Sequence, residues 1–269
     1  MCRTMPAKWR MWCGAWARYS DAYPWRRVAS YLTMVDEGMA TMNVLSGGAA
    51  QGLVEALAEP FRARTGLSIG GHFGAVGVMR EKLLAGEPCD LLILSQALIA
   101  GLVQSGHARA ESVRDVGTVH AGVAVPAGQP HPRIDTPEAL KRALSQASAI
   151  YCPDPIKATA GIHFDKVLSD LGVKQTQAAR MRTYPNGNTA MRAMADEGLA
   201  GAIGSTQVTE IFYTRGVELV GLLPAPHGLS TVYTAAVSAS AHNPGAAQAL
   251  IELMMAPEQA ELRRRAGFA

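Results

Sequence analysis

The feature that most constrains this sequence is a turn of small residues that recurs where a predicted strand meets a predicted helix. The first example lies between the apolar pair Val44 and Leu45 and a helical pattern that includes Leu53 and Leu57. A helix that starts directly after such a turn leaves its first N–H groups without intrahelical partners. Turns of this kind occur at residues 46–48, 74–77, 159–161, 186–189 and 204–206.

These turns suggest an anion site, although each one alone has a plainer explanation. Gly47 and Gly48 would let the backbone approach a ligand closely, and Ser46 adds a hydroxyl that could donate to an oxyanion or cap the helix. Many strand-to-helix turns carry Gly and Ser only in order to turn, and a single motif favours that structural interpretation. Because five such turns could converge on one crevice, their recurrence favours anion binding.

Strand and helix patterns alternate from residue 42 to the end of the chain. Residues 90–95 are apolar on both faces, which is typical of a buried strand in a parallel sheet. Longer strand patterns cover residues 116–125 and 229–238. The alternation predicts an α/β protein whose parallel sheets carry helices on both faces.

Residues 1–41 differ from the rest in composition. They contain six of the 25 Lys and Arg residues and three of the 22 Asp and Glu residues, so the remainder is formally neutral and does not suggest a nucleic-acid partner. Their apolar run, residues 11–17, is too short to span a membrane and is a poor signal-peptide core. We expect residues 1–41 to be an extension, disordered or from a misassigned start, with a weak secretion signal as the alternative.

The remaining sequence shows no motif for a metal or a cofactor. Cys89 and Cys152 lie singly in apolar surroundings, without CxxC or Cys/His spacing, and are expected to be buried thiols. The chain contains neither GxxxxGK[ST] nor GxSxG, so nucleotide and esterase functions are poorly supported. We therefore expect no cofactor and no metal.

From residue 42 onward the chain resembles the molybdate-binding (ModA-like) proteins of the type II periplasmic-binding fold. The resemblance rests on the opening strand, turn and helix, on residues 84–91, on the strand at 122–125 and on residues 159–162. It implies two lobes, each a mostly parallel sheet flanked by helices, joined by two crossover strands near 121–125 and 231–236. The implied lobes are residues 42–121 with 232–269, and residues 122–231.

The resemblance also implies where a ligand would lie. The contact positions of molybdate-binding members fall near Ala49, at 75–77, at Ala160, near Thr189 and at Gly204. Side-chain hydroxyls and a tyrosine of those members are absent there, so backbone contacts carry over best, and the wider crevice would suit a small polycarboxylate. The predicted ligand-binding residues are Ser46, Gly47, Gly48, Ala75, Gly77, Thr159, Ala160, Asn188, Thr189, Gly204, Ser205 and Thr206.

The function implied is that of a small-anion binding protein, either the solute receptor of an ABC-type importer or a cytosolic relative. An ABC permease would be the partner of such a receptor, and no membrane insertion is expected. The resemblance places the protein in the periplasm, whereas the lack of a clear signal peptide favours the cytoplasm.

The alternative function is that of an isomerase. The segments that resemble an enzymatic branch of the aconitate isomerase type are residues 154–155, 159–164, 185–187 and 205–210. An allylic isomerase needs a base near the acidic C–H group and donors for the resulting enolate. His72 and His163, in or just after predicted turns, are the candidate bases. Glu210 could act as a base or could cap a helix start, and the sequence favours the cap.

Overall fold

The structure is a computed structural model that describes residues 40–269. The predicted extension, apart from its last two residues, lies outside the described residues. The first described element is strand β1, which begins at Thr41.

Nine strands and ten α-helices follow one another within residues 40–269. The strands are β1 (Thr41–Gly47), β2 (Ser68–Gly74), β3 (Leu91–Ser95), β4 (Arg114–Pro126), β5 (Ile150–Pro153), β6 (Met181–Tyr184), β7 (Ile203–Gln207), β8 (Val217–Leu222) and β9 (Ser230–Val237). The helices are α1 (Gln51–Ala56), α2 (Ala58–Thr65), α3 (Val76–Leu84), α4 (Gln96–Gln104), α5 (Pro137–Gln146), α6 (Thr159–Asp170), α7 (Gly187–Glu197), α8 (Val208–Tyr213), α9 (Pro244–Met255) and α10 (Ala260–Arg265).

Two groups of parallel strands are joined by long antiparallel strands. In the first group, β2 and β3 flank β1 in parallel, and β9 runs antiparallel to β3. In the second group, β6 and β7 flank β5 in parallel. Strand β4 pairs with β9 through its first half and with β7 and β8 through its second half, always antiparallel. The predicted α/β class and the two crossover strands, β4 and β9, are confirmed.

The apolar residues form separate cores on the two sides of this junction. One core includes Val44, Leu92 and Leu250, contributed by β1, β3 and α9. In the second strand group, Ile150 on β5 faces one core and the next residue, Tyr151, faces another. Alternate residues of a strand point to opposite faces, so β5 is covered on both sides by apolar groups. The predicted lobe boundaries, at 121/122 and 231/232, stay a prediction.

Hydrogen bonds to the carboxylate of Asp90 connect β1, β3 and α9 in the first core. Its Oδ2 atom accepts the backbone N–H of Asn43 on β1 at 2.8 Å, and its Oδ1 atom accepts that of Asn243, the N-cap residue of α9, at 2.7 Å. Asp90 is only 1% exposed and directly precedes β3. A buried carboxylate of this kind is tolerated because backbone donors satisfy its oxygens.

Replacing Asp90 should therefore destabilise the protein. Asp90→Ala leaves two partly buried N–H groups without acceptors, and we expect the free energy of unfolding to fall by about 2–4 kcal/mol in urea titrations. Asp135→Ala is the control, since exposed Asp135 pairs with exposed Arg133, and should change it by less than about 1 kcal/mol. Equal effects of the two substitutions would contradict this role of Asp90.

Candidate functional site

The candidate site is a small cavity where turns from both strand groups meet. It contains about 260 Å³ of empty space, part of it open to solvent. The first strand group and α3 contribute Gly48, Gly74, Ala75 and Val76. The remaining lining residues are Pro153, Ala158, Thr159, Ala160, Asn186, Gly187, Gln207, Glu210 and Tyr233. Residues from both strand groups therefore line one small space.

Two helices begin at this cavity without a side-chain cap. The N-cap residue of α3 is Ala75 and that of α6 is Ala158, and neither makes a side-chain hydrogen bond to its helix. Both residues have extended backbone and line the cavity. The first N–H groups of a helix carry partial positive charge and attract anions. These two helix starts therefore form an electropositive wall.

Helix α7 also begins at the cavity, but its first turn is satisfied from within the protein. The Oδ1 atom of Asn186, its N-cap residue, accepts the Thr189 N–H at 2.9 Å. The backbone N–H groups of Gly187 and Asn188 donate to the carboxyl group of Glu210. An internal carboxyl thus lies where an external anion would otherwise bind this helix.

Glu210 also caps its own helix, α8. It is the third residue of α8, and its carboxyl accepts the backbone N–H of Gln207, the N-cap residue, which is the Glu half of a capping box. The hydroxyl of Thr206 donates to its Oε2 atom. The capping interpretation drawn from the sequence is confirmed, and the same carboxyl additionally lines the cavity.

Two glycines make room for this carboxyl. A Cβ atom on Gly48 would lie 2.5 Å from Glu210 Oε1, and one on Gly187 would lie closer still to Oε2 and to the Thr206 hydroxyl. Gly48 precedes α1, and Gly187 begins α7. Any side chain at either position would displace the Glu210 carboxyl. The sequence predicted that the Gly48 backbone approaches a ligand closely, and in the structure it approaches this carboxyl of the protein itself.

Burial changes the proton affinity of Glu210. Loss of hydration raises the pKa of its carboxyl from an ordinary 4.5 to about 7, although the hydrogen bonds from Thr206, Gln207, Asn188 and Gly187 lower it. A carboxyl with a pKa near neutrality can exchange a proton at physiological pH. Glu210 is therefore the group in the cavity best suited to acid–base chemistry.

Gln207 and Tyr233 complete the polar part of the lining. Gln207 is 2% exposed, and its Nε2 atom donates to the Thr231 hydroxyl at 3.3 Å. The Oε1 atom of Gln207 is buried and has no hydrogen-bond partner among residues 40–269. Burial, reinforced by the nearby Glu210 charge, raises the pKa of the Tyr233 hydroxyl, which remains neutral.

Of the residues predicted to bind ligand, Gly48, Ala75, Thr159 and Ala160 line the cavity. Three others lie just behind it. The Ser46 hydroxyl donates to the Gly47 carbonyl oxygen at 2.9 Å, and Gly47 packs beneath the Tyr233 ring. The Gly77 N–H donates to the Lys157 carbonyl oxygen at 3.3 Å, so this amide is already engaged.

Asn188 and Thr189 make contacts within the protein. The Asn188 side-chain amide donates to the Gly48 carbonyl oxygen at 3.3 Å and to Gln51 Oε1 at 2.8 Å, which connects α7 to the first strand group. The Thr189 hydroxyl donates to Asn186 Oδ1. Neither residue is part of the lining.

The prediction that residues 204–206 form a turn is wrong, because they lie inside β7. Ser205 and Thr206 pair with β4, which prolongs the strand as far as Gln207. Gly204 accordingly packs against methionines of α7, and the Ser205 hydroxyl donates to the Gly122 carbonyl oxygen at 3.0 Å. Only Thr206 reaches the site, through its bond to Glu210.

The two candidate histidines lie outside the lining. His72 belongs to β2, is exposed, and its Nε2 atom lies 2.9 Å from Glu87 Oε1. His163 belongs to α6, and its Nε2 atom lies 2.8 Å from the His227 carbonyl oxygen. Sequence reasoning did not select Gln207, Tyr233 or Asn186, and their side chains meet only through the folding of distant segments.

The predicted buried thiols are confirmed, and they lie away from the cavity. Cys89 and Cys152 are free, and burial raises the pKa of each to about 12. No three His, Cys, Asp or Glu side chains within residues 40–269 come together as a metal site. No helix in that range is long and apolar enough to cross a membrane.

Two groups of parallel strands, two connecting antiparallel strands and a cavity facing helix N-termini define the class of solute-binding proteins of the periplasmic-binding fold. The chain belongs to the family of bacterial extracellular solute-binding proteins, whose sequence model matches residues 42–269.

Known proteins similar to this chain include an enzyme and several binding proteins. Aconitate isomerase from Pseudomonas sp is 25% identical over 249 residues, covering 90% of this chain and 92% of that protein. The periplasmic molybdate-binding protein of Azotobacter vinelandii superposes with a TM-score of 0.69 at 18% identity, over 85% of this chain and 98% of the other. The sulfate-binding protein SubI of Mycobacterium tuberculosis superposes with a TM-score of 0.65 at 17% identity, over 85% of this chain and 86% of the other. The resemblance inferred from the motifs is confirmed.

The raised pKa of Glu210 predicts a pH-dependent contribution to stability. The folded protein binds this proton more tightly than the unfolded chain, so the contribution is fully present below about pH 4.5 and is lost as the pH rises through about 7. A pKa change of that size corresponds to on the order of 3 kcal/mol.

Urea unfolding of the wild type and of Glu210→Gln between pH 4.5 and 8 checks this contribution. We expect the wild-type free energy of unfolding to fall relative to that of the variant as the pH rises, because Gln does not titrate. A difference that is constant over this range would contradict the assignment.

Proposed function

We propose that this protein binds a small anion in the cavity, through the N-termini of α3 and α6. The observation that carries the proposal is that both helices start at the cavity with an alanine as N-cap residue and no side-chain cap. Helices of this length normally have their first N–H groups satisfied by a side chain, by water or by a ligand. A carboxylate or oxyanion would satisfy them and gain from both helix dipoles.

As a member of its family, the protein would act as a solute receptor that delivers the anion to an ABC permease. Family membership and the likeness of fold to molybdate- and sulfate-binding proteins support this role. A receptor of this kind would work outside the cytoplasmic membrane. A cytosolic relative would use the same cavity without a permease.

A side-chain cap introduced at the start of α6 should raise the stability of the protein and at the same time weaken its anion binding. Ala158→Asp places a carboxylate at the N-cap position of α6, where the backbone is already extended. We expect it to stabilise the protein by roughly 0.5–2 kcal/mol and to weaken anion binding by about tenfold or more, because it competes for the same N–H groups. Calorimetric titration with a panel of carboxylates and oxyanions, together with thermal unfolding, measures both effects.

Ala158→Ser is the matched control. Its hydroxyl caps the helix without a charge, so we expect a smaller loss of affinity than for Ala158→Asp. Unchanged anion affinity in both variants would contradict binding at α6.

A second candidate function is that of an isomerase acting on a small polycarboxylate such as aconitate. The observation that favours it is the Glu210 carboxyl, which lines the cavity and has a pKa of about 7. The similarity to aconitate isomerase over 90% of the chain supports it. The uncapped helices α3 and α6 would hold the substrate carboxylates.

In this reaction, Glu210 would act as general base and then as general acid. Its carboxylate takes a proton from the methylene carbon of trans-aconitate, and the electron pair spreads over the allylic carbons and an adjoining carboxylate. The same proton is then delivered to the former vinyl carbon, which moves the double bond and yields cis-aconitate. Helix N-terminal N–H groups stabilise the charge that develops on the carboxylate oxygens.

Proton NMR with trans-aconitate in D₂O tests this activity. We expect the wild type to form cis-aconitate with a kcat/KM that rises with pH to a plateau above about 7, because the base must be ionised. Glu210→Gln should lower the rate by about 10²–10⁴-fold, as expected for loss of an acid–base group. If wild-type protein forms no cis-aconitate, the isomerase function is rejected while anion binding is still tested by titration.

His72→Gln and His163→Gln serve as comparisons in the same assay. Since both histidines lie outside the cavity lining, we propose that their rates stay within about threefold of the wild type, in contrast to the effect of losing a general base. A large loss in either variant would instead support the histidines as bases.

A further inference from the structure

The Glu210 carboxyl lies in the same cavity as the two helix starts that are proposed to hold the anion. Glu210 lines this cavity together with Ala75 and Ala158, the N-cap residues of α3 and α6. The residue is buried, and four donors of the protein already engage its carboxyl. The carboxyl therefore makes no demand for a contact with the ligand, and it acts on an anion in the cavity through its charge.

Ionised Glu210 is the charge that the lining itself contributes. Within residues 40–269, the titratable side chains of the lining are Glu210 and Tyr233, and none of the lining residues is Lys, Arg or His. Burial, reinforced by the nearby Glu210 charge, raises the pKa of the Tyr233 hydroxyl, so Tyr233 stays neutral between pH 6.5 and 8.5. The net charge of the lining is therefore set by the protonation state of Glu210.

The charged side chains on the helices around the cavity interact with other groups. Lys157, which precedes α6, pairs through its Nζ atom with Glu81 Oε2 on α3 at 2.8 Å. Glu55 on α1 accepts the Tyr213 hydroxyl of α8 at 2.9 Å, and the charge of Arg192 on α7 acts on that same hydroxyl. The pKa of the cavity carboxyl accordingly reflects burial and hydrogen bonds, and not a neighbouring cation.

Two negative charges in one buried space repel each other. An anion held by α3 and α6 would raise the pKa of the Glu210 carboxyl, because a nearby like charge disfavours the ionised form. The pKa of this carboxyl is about 7 before any such repulsion, so a further rise places it above neutrality. Protonation of Glu210 removes the repulsion and costs little free energy at neutral pH.

We infer that the anion binds together with one proton, which Glu210 takes up, so that the affinity for the anion falls as the pH rises through neutrality. The inference rests on the proposed anion binding and adds a proton to what the site recognises. It holds for carboxylates and oxyanions alike, because it depends on charge. In the second candidate function, kcat/KM would still follow the ionisation of the free protein, since that ratio reports the groups of the free enzyme.

Calorimetric titration of the full-length protein with sulfate, molybdate and fumarate at pH 6.5 and pH 8.5 tests the inference. These dianions keep the same charge over that range, so a change in affinity reports a change in the protein. For each dianion that binds, we expect the dissociation constant at pH 8.5 to be about fivefold or more above that at pH 6.5. Titrations at pH 7.5 in bis-Tris and in Tris, whose heats of protonation differ, should show uptake of about half a proton or more per anion.

Substitutions of Glu210 and of its partner Thr206 identify the group that takes up the proton. Glu210→Gln does not titrate, so we expect its anion affinity to change by less than about twofold over this pH range, without proton uptake. Thr206→Val removes a hydroxyl that lowers the pKa of Glu210, so the fall in affinity should move to higher pH. Circular dichroism and thermal unfolding establish that the variants are folded, and the wild-type titrations test the inference even where a variant is not.

His163→Gln is the control. His163 lies on α6, one of the helices proposed to bind the anion, but it is outside the cavity lining, and its Nε2 atom lies 2.8 Å from the His227 carbonyl oxygen. This variant should keep the wild-type pH dependence and proton uptake.

Equal wild-type affinities at the two pH values, without proton uptake, would overturn the inference and leave the proposed function standing. A pH dependence that persists in Glu210→Gln would also overturn it, because another group would then take up the proton. Failure of all three dianions to bind at either pH would overturn the proposed anion site, and this inference with it.

Discussion

The geometry of the cavity depends on one buried carboxyl group. Glu210 receives backbone N–H groups from the starts of two helices and a hydroxyl from Thr206. Its hydrogen bonds connect the starts of α7 and α8, and it occupies the space left by Gly48 and Gly187. Without it, the backbone N–H groups of Gly187 and Asn188 at the start of α7 would lose their acceptor. With it, these N–H groups are satisfied from within the protein, whereas α3 and α6 begin at the cavity without a side-chain cap.

This asymmetry gives the site its chemistry. Simple anion sites use as many donors as possible, because every oxygen of a dehydrated dianion needs a partner. Here α3 and α6 retain that character, while the α7 side is closed by the protein's own carboxyl. If the helix starts of α3 and α6 bind an anion as proposed, a carboxyl with a pKa near 7 in the same cavity could transfer a proton to or from that ligand. The two candidate functions, anion binding and proton-transfer catalysis, therefore use the same groups of the cavity.

The rest of the fold places these groups. Neighbouring parallel strands end at the same edge of a sheet, and the helices that follow β2, β5 and β6 all begin at the cavity. Strands β4 and β9 connect the two groups, and β9 carries Tyr233 to the lining. Asp90 fastens β1 and α9 within the first core. The cavity is the meeting point of elements that are stabilised elsewhere.

The two crossover strands were implied by the resemblance to molybdate-binding proteins. The sequence by itself also determined the α/β class and the existence of helix starts that could face an anion. These follow from local periodicity and small residues, which act within one segment, and Gly48, Ala75, Thr159 and Ala160 were found in this way. Only the tertiary structure decided how the cavity is lined. Pairing with β4 converted residues 204–206 from an expected turn into strand, and the approach of Gly48 and Gly187 turned a helix cap, Glu210, into the central group of the site. Such contacts join residues far apart in the chain, and no local pattern records the desolvation that raises the pKa of Glu210.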